Sequence, residues 1–104
     1  MSIDKREVIE GTQYQGEDES ISYTLNVAAV GSSPSSVSAV VKDETAGTVV
    51  TATVMPINAP TVDGNVITLS PLRALTAGHM YRMEVKYTID GNVLESYCFV
   101  QAQE

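Results

Sequence analysis

Tryptophan is absent from this 104-residue chain, and cysteine, histidine and phenylalanine occur once each. With Cys98 alone, no intrachain disulfide forms. Its neighbours Tyr97, Phe99 and Val100 predict a thiol packed in a core or sheet, because unpaired cysteine is among the most buried residue types. His79, the single histidine, precedes Tyr81 in a loop, and a solvent-facing turn residue is expected there, not the base of a catalytic triad. No Gly-rich phosphate loop follows a strand pattern, and no Cys/His spacing suits zinc. Neither an enzyme nor a cofactor is expected.

Positive charge is scarce as well. Six Lys and Arg face thirteen Asp and Glu, so the formal charge is 6 − 13 = −7. The cations Lys5, Arg6, Lys42, Arg73, Arg82 and Lys86 are dispersed. Phosphate backbones and anionic lipid would repel such a chain, so neither nucleic acid nor membrane is an expected partner. No apolar run reaches the ~18 residues of a spanning helix. The start, Met1-Ser2-Ile3-Asp4-Lys5-Arg6-Glu7, lacks the basic-then-apolar order of a signal peptide. Synthesis in a bacterial cytoplasm, without export by that route, is the expectation.

What is present is a folding composition, 43% hydrophobic and 18% charged, sized for one domain over residues 1–104. Fourteen Val, six Ile and ten Thr make the chain rich in β-branched side chains, which suit a pleated surface. Seven strand-like runs follow: Glu7 to Thr12, Ile21 to Val27, Ser36 to Lys42, Gly47 to Val54, Asn65 to Leu69, Tyr81 to Ile89 and Val93 to Gln101. In the sixth, Tyr81, Met83, Val85, Tyr87 and Ile89 alternate with Arg82, Glu84, Lys86 and Thr88, the period of a half-buried strand.

Asp90-Gly91 is the pair favoured by a two-residue type I′ turn, where both residues need φ > 0. That turn sets Tyr87 opposite Leu94, Met83 opposite Cys98 and Tyr81 opposite Val100. On the other face it sets Lys86 opposite Glu95 and Arg82 opposite Phe99, a cation–aromatic contact. Polar or Gly/Pro-bearing breaks separate the runs, among them Pro56 to Gly64, and Ser70 to Gly78 has room for one helical turn. The expected fold is all-β: a seven-stranded antiparallel sandwich with Greek-key connections and no parallel pairing.

Three regions are candidate sites. Glu17, Asp18, Glu19, Asp43 and Glu44 fall in loops at one end of such a sandwich, where calcium is a weak candidate beside a plain charged rim. At the other end Asp63-Gly64-Asn65 and Asp90-Gly91-Asn92 repeat a tripeptide, which makes Asp63, Asn65, Asp90 and Asn92 either ordinary turn residues or a loop-built binding end. Residues 1–15 form an edge strand or an arm that adds to a neighbour.

The segment Leu75-Thr76-Ala77-Gly78-His79-Met80-Tyr81-Arg82-Met83-Glu84-Val85 resembles the entry to the sixth strand of fibronectin type III and related immunoglobulin-like domains. There a Leu, a Gly turn and a Tyr precede alternating apolar residues. The resemblance implies an immunoglobulin-like fold and a tyrosine corner, with the Tyr81 hydroxyl bonded to backbone a few residues upstream. The Trp and the paired cysteines of many relatives are missing here.

Ser33-Pro34-Ser35-Ser36-Val37, Val41-Lys42-Asp43 and Ile89-Asp90-Gly91-Asn92 are similar to stretches in small structural-module proteins of tailed bacteriophages and prophages. That likeness implies a virion or assembly component, contacting other virion proteins or copies of itself, including as a homo-oligomer. The alternative is a module that binds carbohydrate or a surface ligand through its loop end, for which Tyr14, Tyr97 and Phe99 are the outward-facing aromatics.

Overall fold

The computed structural model describes residues 12–104 and the backbone of Arg6–Glu7. Of the edge strand expected at Glu7 to Thr12, residues 8–11 lie outside the described residues, as do 1–5 of the N-terminal arm. Two sheets build the domain. The larger contains β1 (Arg6–Glu7), β2 (Gln13–Gly16), β4 (Ser35–Asp43), β5 (Thr48–Val49), β8 (Met80–Ile89) and β9 (Asn92–Gln103). Its order is β9-β8-β4-β5, and β1 and β2 follow one another along the free side of β9. The smaller sheet is β3 (Thr24–Asn26), β7 (Val66–Thr68) and β6 (Thr61–Asp63), ordered β3-β7-β6.

The β8–β9 hairpin forms as its turn chemistry predicts. Asp90 and Gly91 have φ of 51° and 80°. All five predicted pairs stand opposite one another: Tyr87 with Leu94, Met83 with Cys98, Tyr81 with Val100, Lys86 with Glu95 and Arg82 with Phe99. Tyr81, Met83, Val85, Tyr87 and Ile89 are buried, and so are Cys98, Val100 and Ala102 across from them. Val27, Ile67 and Leu69 close the core from the smaller sheet side. Each such side chain contributes about 1.5–3 kcal/mol by leaving water. Within this interior the Tyr87 hydroxyl meets Ser96 Oγ at 2.8 Å, so both polar groups are paired.

Five expectations need correction. The larger sheet is mixed: β1 and β2 run parallel to β9. Parallel neighbours need a long connection, and here almost the whole domain between Gly16 and Asn92 supplies it, so no crossover helix is required. The count of strands also exceeds seven, because β6 lies within the Pro56 to Gly64 break and pairs with β7 across a two-residue Gly64-Asn65 turn.

The run Gly47 to Val54 is not one strand. After β5 it winds into a single helical turn, α1 (Thr51–Val54). Its β-branched composition is overridden by burial, since the turn brings Val54 and Met55 into the core, with Val50 packed against it. Thr51 Oγ1 holds the turn against β4 by accepting from the Val41 N–H at 2.9 Å.

The ladder of β3 is shorter than Ile21 to Val27. Its alternation nevertheless extends over the whole run, because Ile21 bridges Leu72 and the Leu69 N–H donates to the Tyr23 carbonyl. The last correction, at Ser70 to Gly78, is that no helical turn forms; the segment crosses between sheets with Leu72 and Leu75 buried.

Candidate functional site

The chain bends into β8 through Leu75, which is buried, and Gly78, at φ +86°. Tyr81 then points inward, 2% exposed, and its hydroxyl accepts a hydrogen bond from the Thr76 N–H at 2.8 Å. His79 is not the solvent-facing turn residue expected. Its side chain is half-buried, its Nδ1 donates to Asp43 Oδ2 at 2.7 Å, and its ring stacks near Tyr81. The reason is tertiary: the end of β4 comes alongside the start of β8, with Asp43 opposite Tyr81.

Burial alone would raise the Asp43 carboxyl. The hydrogen bond from His79, with those from Ala46 and Thr45 and the charge of the imidazole, outweighs burial and holds it below its ordinary 3.8. A depressed carboxyl stabilises the fold at pH above its unfolded value, and that contribution is lost as pH falls through the lower folded value. Denaturant midpoints should therefore drop below about pH 4, and Asp43→Asn should flatten that acid limb. An unchanged limb would assign acid sensitivity to other carboxylates.

The other calcium candidates do not join Asp43. Glu19 Oε1 instead accepts from the Gly16 N–H, and Asp43 Oδ1 is taken by the Thr45 and Ala46 N–H groups. Among the described residues, no three His, Cys, Asp or Glu side chains stand where they would share a metal ion. Glu17, Asp18 and Glu44 are exposed. The loops do meet at this end, since the Glu17 N–H donates to the Gln103 carbonyl and the Gly78 N–H to the Ala102 carbonyl.

At the opposite end, the two Asp-Gly-Asn segments turn in different registers. Asp90-Gly91 is the two-residue loop of one hairpin, and Gly64-Asn65 that of the other, where Gly64 has φ +60°. Asn65 ties this end together: its Oδ1 accepts from the Ser33 N–H and its carbonyl from the Val27 N–H. Gly31 lies against Ile89, and a Cβ there would stand 2.5 Å from Ile89 Cγ2. Asp63, Asp90 and Asn92 are exposed. No aromatic residue occurs in these turns.

A cleft of about 330 Å³ opens between β3 and β9, with Tyr23, Leu25, Met83, Val85 and Cys98 in its lining. Gln15 supports this region. It is fully buried, its Nε2 donates to the Leu72 and Glu19 carbonyls, and its Oε1 accepts from the Tyr23 hydroxyl. Burial foremost, then the neighbouring Cys98 and Glu19, pushes the Tyr23 hydroxyl up to about 12, which keeps it a donor.

The outer face of the larger sheet is the most distinctive surface. Tyr14 on β2, Val40 on β4, Val49 on β5 and Val93 on β9 all point outward from it, at 64%, 38%, 62% and 63% exposure. They are four of the six large apolar side chains exposed among the described residues. At the centre, the Arg82 guanidinium lies 4.2 Å from the Tyr97 ring, and Tyr97 meets Phe99 edge-on at 5.7 Å.

The cation–aromatic contact thus goes to the diagonal neighbour Tyr97 instead of Phe99, because an arginine reaches past its direct cross-strand partner. Arg82 Nε sits 3.0 Å from Glu84 Oε2, near enough for attraction but without the alignment of a hydrogen bond. Tyr97 and Phe99 were legible as outward-facing from alternation. Their grouping with Val40 and Val49 depended on β4 and β5 lying beside β8.

Compared with models of protein families, with curated proteins and with solved structures, the chain matches none. No helix among the described residues is long and apolar enough to cross a membrane.

Proposed function

We propose that this chain is a non-enzymatic protein–protein contact module with an immunoglobulin-like arrangement, serving as a structural or assembly component of a phage or prophage particle. The observation that carries the contact role is the outer face of the larger sheet: exposed Tyr14, Val40, Val49 and Val93 surround the Arg82–Tyr97–Phe99 cluster. Large apolar side chains exposed together on one sheet face cost a free protein solubility, and their usual use is to meet another protein. An aromatic–arginine centre is the composition that anchors such contacts.

Support for the immunoglobulin-like arrangement comes from the order β3-β7-β6 facing β9-β8-β4, which corresponds to the two sheets of that fold, and from the Tyr81–Thr76 bond at the entry to β8. The particle context rests on the resemblance of the turn and strand-end segments to phage structural-module proteins. Mass spectrometry of purified particles and assembly intermediates from the source strain tests it. Peptides of this chain are expected there at stoichiometric abundance. Their absence from every particle fraction would remove the virion role.

A further inference from the structure

From the same face we infer that the partner is a second copy of this chain, the two larger sheets packing face to face about a two-fold axis. This inference rests on the outer face being a contact surface. Its first ground is charge. The described side chains there include Lys42, Arg82 and Lys86 with Glu84 and Glu95, a balance of 3 − 2 = +1 in a chain of formal charge −7. Most carboxylates therefore lie off this face, and copies meeting through other surfaces set acid against acid.

The second ground is self-complementarity. Arg82 and Glu84 are neighbours on one strand, 3.0 Å apart at Nε and Oε2. A two-fold axis passing between them places each Arg82 beside the other copy's Glu84, the isologous pattern of a symmetric dimer. The third is area. β4, β8 and β9 span ~14 Å across by ~30 Å along, and the flanking β2 and β5 extend this to roughly 500 Å² in plan. With side chains standing on it, that approaches the ~800 Å² per partner of a standard interface.

Sedimentation equilibrium over a concentration series tests this on the full chain. The wild type should pass from one chain to two. Val49→Glu and Tyr14→Glu, both at exposed positions, should weaken association at least about tenfold. Arg82→Glu and Glu84→Arg should each dissociate the pair, and the double exchange should restore it, with circular dichroism reporting that each variant is folded.

A chain that stays single at all concentrations overturns the self-pairing. Incorporation of the folded Val49→Glu and Tyr14→Glu variants into particles then separates the two ideas. Loss of incorporation leaves the face a contact surface for a different protein, whereas wild-type incorporation removes that reading too.

Discussion

Replacing Gln15 with leucine is expected to destabilise the domain by about 2 kcal/mol, a large share of the ~5–15 kcal/mol that holds a small protein folded. The side chain is fully buried and makes three hydrogen bonds: to the Leu72 carbonyl at 2.7 Å, to the Glu19 carbonyl at 3.0 Å and from the Tyr23 hydroxyl at 2.9 Å. It thereby joins the edge of the larger sheet to the segment crossing toward the smaller one. Leucine fills similar volume but takes the acceptor from the Tyr23 hydroxyl and leaves the Leu72 carbonyl only the Ile21 N–H; an orphaned group costs about 1–3 kcal/mol.

Gln15→Glu should be worse than leucine at neutral pH. The two carbonyls that accept from the amide would face a carboxylate, which raises its folded pKa. The penalty is small below the ordinary glutamate value of ~4.3 and grows as pH rises above it. Urea titration at several pH values checks both variants. A midpoint for Gln15→Leu equal to the wild type would mean that β2 is held by its ladder alone.

Tyr81→Ala is expected to cost about 3–5 kcal/mol, the range for emptying a buried aromatic site. Tyr81→Phe isolates the hydroxyl and should cost about 1–2 kcal/mol, because the Thr76 N–H loses its acceptor while the ring stays packed. Amide exchange at Thr76 should quicken in the phenylalanine variant. Should Tyr81→Phe unfold at the wild-type midpoint with Thr76 equally protected, the hydroxyl would not be what fixes the crossing into β8.

Much of this was legible in sequence where local rules and burial agree. The β8–β9 hairpin is the clearest case. Strict alternation from Tyr81 to Ile89 gives the face, and Asp90-Gly91 gives the register, so each cross-strand pair follows by counting. The run Gly47 to Val54 is the opposite case. Its β-branched residues say strand, yet two residues of ladder precede a helical turn that carries Val54 and Met55 into the core. Propensity is worth tenths of a kcal/mol per residue, and burying two apolar side chains is worth several.

His79 failed for a related reason. Nothing near it in sequence reveals Asp43, which arrives from a strand thirty-six positions earlier. Gln15 gave no signal either, because a glutamine in a polar stretch reads as solvated until the Leu72 carbonyl is known to lie beside it.

By itself the sequence determined the β character, the inward and outward faces of the long strands, and the turn that aligns β8 with β9, because side-chain period and turn dihedrals are local properties. Only the tertiary structure decided that the first strand segments run parallel to the last, that Asp43 meets His79, and that Tyr14, Val40 and Val49 share a face with Tyr97 and Phe99. Those are adjacencies between distant segments, and they follow from which edges and apolar faces remain to be covered once the local pieces have formed.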